Sequence, residues 1–240
     1  MGLLRKNIKR ENALYCGGSI IDASHILTAA HCIKLEDGKV LHAKDIHILV
    51  GTNNRVLAND RHRAVELVHA VSKVSYHSGY RHKDVGHGDD IALLKLSKPL
   101  DFERLQGRAT PVCLPPKKTA KTYEKEPLSV AGWGLTKEGD LSSQPDLLQT
   151  ADMDVITNAQ CRKKVKSSAV PSSMMCTFRE GGSSVGNGDS GGPGTLLGDD
   201  GRHYQMGVAS FAVNNNSTAP SPSIFTRVDR FLDYIHKNVK

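Results

Sequence analysis

Gly188-Asp189-Ser190-Gly191-Gly192-Pro193 constrains this 240-residue chain more than any other stretch. It sets a serine hydroxyl on a tight, glycine-flanked turn that a substrate carbonyl can approach. Glycine tolerates φ > 0, so the backbone beside Ser190 can turn its amides inward. Leu27-Thr28-Ala29-Ala30-His31-Cys32 lies far upstream, and Asp89-Asp90-Ile91-Ala92-Leu93-Leu94 lies between the two. Together these segments supply a nucleophile, a base and a carboxylate that can orient the base. A serine hydroxyl is a poor nucleophile at neutral pH. An imidazole must take its proton during attack and hand it to the leaving group. A carboxylate on the other ring nitrogen fixes the tautomer, and the resulting oxyanion needs preplaced N–H donors.

Composition narrows the class. A chain with 38% hydrophobic and 24% charged residues is ordinary for a folded globular protein. No apolar run approaches the ~20 residues of a membrane span, so no membrane association is expected. The net charge is +7, with basic clusters at 5–10 and 162–166. These read as solvated surface, with polyanion binding as the functional alternative. Only 5% of residues are aromatic and no RNP, KH or zinc-finger pattern appears, so no nucleic-acid partner is expected. His77, His82 and His87, with Asp84 and Asp89 nearby, match no zinc spacing, and neither metal nor cofactor is expected. Asn215-Asn216-Ser217-Thr218 holds overlapping glycosylation sequons at Asn215 and Asn216.

Short β-rich runs separated by turn signals predict an all-β chain. The candidate strands are 46–50, 64–71, 91–96, 128–131, 147–153, 206–211 and 224–226. The segment 99–125, rich in Pro, Lys and Thr, reads as a crossing between two halves, about 1–112 and 125–225. His31 and Asp90 then fall in the first half and Ser190 in the second, with the site in the cleft between them. Thr157-Asn158-Ala159-Gln160 is a capping box for a short helix over Cys161. Asp229 is a candidate cap for a C-terminal helix, 229–239. Along it Val228, Phe231, Leu232, Ile235 and Val239 recur near a 3.6 period as a packing face. Five cysteines leave one odd, and two pairs can be drawn in fifteen ways.

The three segments, in the order His, Asp, Ser, resemble the chymotrypsin-like (trypsin-fold) serine proteases. Cys16-Gly17-Gly18-Ser19-Ile20-Ile21 resembles that family's strand before the histidine, and Ala131-Gly132-Trp133-Gly134 its AGWG turn. Ser210-Phe211-Ala212 stands where the family has Ser-Trp-Gly, and Phe225-Thr226-Arg227-Val228 leads into the last helix. The resemblance spans the whole chain. It implies two six-stranded antiparallel β-barrels, packed with the active site between them, and a short C-terminal helix.

By that resemblance His31 is general base and acid, Asp90 its orienting carboxylate and Ser190 the nucleophile. Asp90 is preferred to Asp89 because the family's carboxylate directly precedes Ile-Ala-Leu. The oxyanion hole is the backbone N–H of Gly188 and of Ser190. Ser210 hydrogen-bonds Asp90, and the strand through Ser210, Phe211 and Ala212 pairs with substrate backbone. Ser184 falls at the base of the specificity pocket, with Ala212 and Ser223 as walls. An acidic base is absent and the walls carry side chains, so a medium apolar residue is expected before the scissile bond. One methylene shifts such discrimination by only ~1–3 kcal/mol. The implied disulfides are Cys16–Cys32 and Cys161–Cys176. Cys113 is left to bridge an N-terminal pro-domain or clip domain, or to remain a free thiol. Gly186 replaces one cysteine of a pocket-side disulfide. That absence and Cys113 point toward an arthropod clip-domain or venom-type branch.

Disulfides imply an oxidising compartment, yet Met1 to Lys6 is too short and too soon charged for a signal peptide. Activated relatives begin with a free Ile-Val-Gly-Gly-like terminus whose ammonium pairs with the aspartate before the nucleophile, here Asp189. Aligned on Cys16, this chain starts about fourteen residues late. The activation segment and any pro-domain are therefore expected to be missing. A buried carboxylate without its partner costs about 3–5 kcal/mol, so Asp189 is expected to turn outward, carrying the Gly188 amide with it. The overall expectation is a secreted, monomeric serine endopeptidase, made as a zymogen, acting on polypeptides and checked by serpin-type inhibitors. The rivals are a non-catalytic protease homologue acting as a binding cofactor and a basic glycan- or nucleic-acid-binding module.

Overall fold

Closing antiparallel sheets into barrels is the arrangement that leaves no free strand edge. The computed structural model describes residues 2–6, 14–59, 67–81, 88–117, 123–137, 139–165, 170–212 and 221–239. The first half contributes β1 (Gly2–Lys6), β2 (Leu14–Ile20), β3 (His25–Thr28), β4 (Ile46–Leu49), β5 (Val68–Tyr76) and β6 (Ala92–Leu96). The second contributes β7 (Pro127–Gly132), β8 (Gln149–Ile156), β9 (Met174–Thr177), β10 (Pro193–Leu197), β11 (His203–Ala212) and β12 (Ser223–Arg227). The first barrel runs β1-β2-β3-β6-β5-β4 and closes by pairing of β1 with β4. The second runs β10-β11-β12-β9-β8-β7 and closes by pairing of β7 with β10. The expected pair of six-stranded antiparallel barrels is the observed fold.

Ile20, Ile26, Ile46, Ile48 and Leu94 fill the first barrel. Leu128, Val130, Met153, Met175 and Phe225 fill the second. Trp133, at the end of β7, packs with Leu49 and Leu67 of the first half, and its Nε1 donates to Asn53 O at 3.1 Å. Arg55 fastens the same seam, donating to Pro145 O at 2.8 Å and to Gln144 O at 3.1 Å. The crossing between the halves contains helix α1 (Phe102–Leu105), whose first turn Asp101 caps.

Helix α2 (Asn158–Val165) opens on the expected reciprocal capping box. The Gln160 amide donates to Thr157 Oγ1 and the Thr157 amide to Gln160 Oε1, both at 2.9 Å. The C-terminal segment differs from expectation. A 3-10 turn, Val228–Arg230, precedes α3 (Leu232–Asn238), and Asp229 caps nothing. Its buried carboxylate instead takes both nitrogens of the Arg227 fork at 2.9 and 2.7 Å. A bidentate charge-assisted pair outweighs a single cap bond. The apolar face is as expected: Val228, Phe231, Leu232 and Ile235 are buried in the first barrel's core cluster. The tail of the second half therefore packs behind the segment that carries Asp90. Three strand boundaries also move. The run expected at 147–153 forms β8 later, the one expected at 206–211 forms β11 from His203, and the one expected at 64–71 forms β5, with 64–66 outside the described residues.

Candidate active site

His31 stands in a 3-10 turn, Ala30–Cys32, directly after β3. The Cys16–Cys32 disulfide ties that turn to β2. Closing a loop of about 15 residues contributes ~3 kcal/mol in the chain-entropy account. His31 Nδ1 lies 2.7 Å from Asp90 Oδ2, and the His31 amide donates to Asp90 Oδ1 at 2.9 Å. Ser210 Oγ donates to Asp90 Oδ2 at 2.6 Å from the opposite barrel. Ser210 sits where the β11–β12 register slips between Ala209 and Phe211. A bulge of this kind re-aims a side chain out of the regular alternation, here onto Asp90.

The electrostatics follow from this geometry. Asp90 is fully buried, and burial pushes its carboxyl up. The charge and hydrogen bond of His31, with those of Ser210 and the His31 amide, outweigh that and hold it below the usual carboxylate range. Burial works against the His31 imidazolium, but the charge and hydrogen bond of Asp90 prevail and hold the ring above its ordinary value. With Nδ1 on Asp90, the other ring nitrogen is left for a proton acceptor's work.

The Ser190 turn is docked on both barrels. Ser190 O accepts from Gly17 N of β2 at 2.7 Å, and Thr28 Oγ1 of β3 holds Gly17 O at 2.9 Å. On the other side the Gly191 amide donates to Ala209 O at 2.7 Å, and Ala209 N donates to Gly192 O at 2.9 Å. One strand, β11, thus grips the serine turn through Ala209 and Asp90 through Ser210. Gly188 and Gly191 have φ of 106° and 80°. Neither the Gly188 nor the Ser190 amide donates to a described residue, so both are available to an incoming oxyanion. No hydrogen bond joins the Ser190 hydroxyl to His31, a contact that commonly tightens only with substrate.

Asp189 corrects an expectation. It turns inward, not outward. Oδ1 accepts from Gly134 N at 2.8 Å and Oδ2 from Gly186 N at 2.9 Å. Gly132 and Gly134 leave the space it occupies, because a methyl at either would overlap its carboxylate. Two amide donors and a glycine-walled niche offset the loss of water that would otherwise expel the charge. Burial still prevails, and the carboxyl is raised despite the Gly186 and Gly134 amides.

The expected pocket residues fall along one edge of the second barrel. Ser223 is buried, and its Oγ accepts from Val185 N at 3.0 Å. Phe211 and Ala212 are half-buried at the end of β11, while Ser184 is exposed. The second disulfide, Cys161–Cys176, joins α2 to β9. Cys113 is half-buried and unbridged. Asn215 and Asn216 lie outside the described residues, as do His82, Asp84 and His87. His77 Nδ1 is 3.8 Å from Asp89 and accepts from Gly79 N at 3.2 Å. Cys16, His31 and Cys32 place their ligand-type atoms within 4.8 Å of one another, but the two sulfurs are joined as a disulfide and offer no thiolate. Among the described residues no helix is long and apolar enough to cross a membrane.

Sequence reasoning did not single out Gly17, Thr28 or Ala209. Their partners lie far off along the chain, and no local pattern marks a residue that docks a remote turn. Comparison with known proteins bears on the whole chain. A family model described as Trypsin matches residues 4–235. A venom serine protease of Polistes dominula is 30% identical over 224 residues, covering 93% of this chain and 75% of that protein. Because the match runs through both barrels, beyond the segments that carry His31, Asp90 and Ser190, the chain belongs to the trypsin family of serine proteases.

Proposed function

We propose that the chain is a secreted serine endopeptidase, made as a zymogen, that cleaves polypeptides through a Ser190–His31–Asp90 triad. The single observation that carries this reading is the double role of β11, which holds the serine turn and the His31-bound Asp90 together across the seam. Ser190 Oγ attacks the scissile carbonyl carbon while its proton passes to His31 Nε2. The carbonyl π electrons move to oxygen, and the Gly188 and Ser190 amides stabilise the oxyanion. The carbonyl re-forms as the C–N bond breaks, and His31 gives its proton to the departing amine. Water then attacks the acyl ester, losing a proton to His31, and Ser190 leaves with that proton while the carboxylic acid departs. Asp90 stays ionised and stabilises the imidazolium.

Support for secretion is the two disulfides. Support for activation by an incoming ammonium is the Asp189 niche, where two amides meet an inward-turned, largely buried carboxylate. Cys113 is available for a bridge to a preceding domain. The preferred residue before the scissile bond is of medium size and apolar, because Ala212 and Ser223 narrow the slot and Ser184 supplies no charge.

The pH profile provides one check. Attack needs neutral His31, and the ring is held above its ordinary value of about 6.5. The acid limb of kcat/KM should therefore fall above pH ~6.5, with activity rising as pH rises through it. The associated stability term has the opposite sense: it is present below the ordinary imidazole value and lost as pH rises through the raised one. A limb at or below the ordinary value would contradict the tight His31–Asp90 pair.

The decisive test is intact mass after fluorophosphonate treatment of the folded chain, of a form extended with an Ile-Val-Gly-Gly-type terminus, and of Ser190→Ala. One adduct on the extended form, absent from Ser190→Ala, is the expected result. No adduct on either form of the folded protein would overturn the protease reading.

A further inference from the structure

Asp90 is held by its side chain through three bonds already described, but its main chain is also held, and by a residue with no assigned role. Thr226 Oγ1 donates to Asp90 O at 2.9 Å. Both residues are fully buried. Asp90 needs such an anchor. It follows Asp89, whose φ of 62° is left-handed, and it precedes β6, whose pairing with β3 starts only at Ala92. The ladder therefore does not reach Asp90, and a buried carbonyl left without a donor would be costly. Thr226 is itself rigid, paired with Val208 of β11 on one side and Met174 of β9 on the other. Strand alternation sends Phe225 into the second barrel's core and Thr226 outward to the first barrel.

We infer that Thr226 is a positioning residue for the His31–Asp90 pair: from the second barrel, its hydroxyl fixes the main chain from which the Asp90 carboxylate is aimed. An aspartate carboxyl is one methylene from its backbone, so a displaced Asp90 carbonyl moves both oxygens. Oδ1 then shifts from the His31 amide, and Oδ2 from Nδ1 and Ser210. The Ser210 and Thr226 hydroxyls act as a two-point clamp, one on the side chain and one on the main chain. Among the described residues the titratable groups against this pair are few. Tyr80 is pushed up by burial and then by Asp90, and the sulfurs beside His31 are locked in the disulfide.

The kinetic arm of the test rests on the protease reading, and the titration arm does not. Thr226→Val removes the hydroxyl at nearly constant volume, Thr226→Ala removes it without risk of crowding, and Thr226→Ser keeps it. The His31 titration is followed by NMR in each. The expected result is a His31 pKa lower by about half a unit or more in Thr226→Val and Thr226→Ala, with Thr226→Ser close to wild type. In turnover, kcat should fall about tenfold or more in the two deletions with KM nearly unchanged, and recover in Thr226→Ser. A His31 titration unchanged by both deletions overturns the inference, even where the melting temperature falls. So does a Thr226→Ser variant displaced as far as Thr226→Val. Folded wild-type protein that neither cleaves peptides nor takes a fluorophosphonate sinks the protease reading instead, and the titration still decides the role of Thr226.

Discussion

Ser190→Ala, His31→Ala and the double variant are expected to lose kcat by nearly the same factor, on the order of 10⁶. In the proposed mechanism the two side chains perform one event. Without His31 the Ser190 proton has no acceptor, and without Ser190 the base has no nucleophile to activate. Each single change therefore removes the whole step, and the second removes nothing more. Residual turnover on the order of 10³ over water should survive in all three, carried by substrate binding and the Gly188 and Ser190 amides. Asp90→Asn should fall less, by on the order of 10⁴, because the imidazole remains but favours the wrong tautomer. Asp90 Oδ2 meets both His31 Nδ1 at 2.7 Å and Ser210 Oγ at 2.6 Å, while Oδ1 accepts from the His31 amide at 2.9 Å, so an amide in its place turns its NH2 either toward Nδ1 and Ser210 together or toward the His31 main-chain N–H. Single-turnover kinetics on one peptide substrate would measure all four variants. Additive losses in the double variant would show that Ser190 and His31 act independently and would defeat the triad assignment.

Residues that act locally were legible before any coordinates. The Thr157–Gln160 capping box needs only three intervening positions, and the 3.6 period from Val228 to Ile235 needs only one helix face. The segments carrying His31, Asp90 and Ser190 were legible because their chemistry restricts residue type. β3 and β9 were not read as strands: each is only four residues long, and all four are buried. A continuously buried run loses the alternation that marks a strand. Asp229 was misread because its competitor, Arg227, is only two residues away but bonds it through a side-chain fork that no pattern predicts. Asp189 was misread for a different reason. Burial does work against the carboxylate, but the amides that meet it come from Gly134 and Gly186, brought together only by the fold. The bulge that aims Ser210 is likewise a property of strand register, and sequence alone does not disclose it.

Gly191→Ala should lower kcat/KM by about 10²-fold or more, although the substitution adds one methyl and touches neither His31 nor the Ser190 side chain. Gly191 has a φ of 80°, which costs an L-residue roughly 1–2 kcal/mol. Strain alone would not abolish activity. The larger effect is steric. A methyl there would overlap Thr28 Oγ1 and would lie 2.6 Å from Gly17 O and 3.1 Å from Ala29 N. The latter two are backbone atoms of the segments that dock the serine turn and lead to His31, so they cannot swing aside as a flexible side chain would. The turn must lift, stretching the 2.7 Å bonds from Gly17 N to Ser190 O and from Gly191 N to Ala209 O. Ser190 then moves relative to His31, and a misplacement of about 1 Å is enough for a loss of this size. Gly201→Ala is the matched control. Its φ is 74°, but a methyl there meets nothing within 4 Å, so it carries the conformational strain without the collision. Both variants should melt earlier than wild type, and only Gly191→Ala should lose turnover and fluorophosphonate labelling. Activity of Gly191→Ala within about threefold of Gly201→Ala would mean that the serine turn tolerates displacement from β2 and β3, and that its docking on the first barrel does not set the alignment of Ser190 with His31.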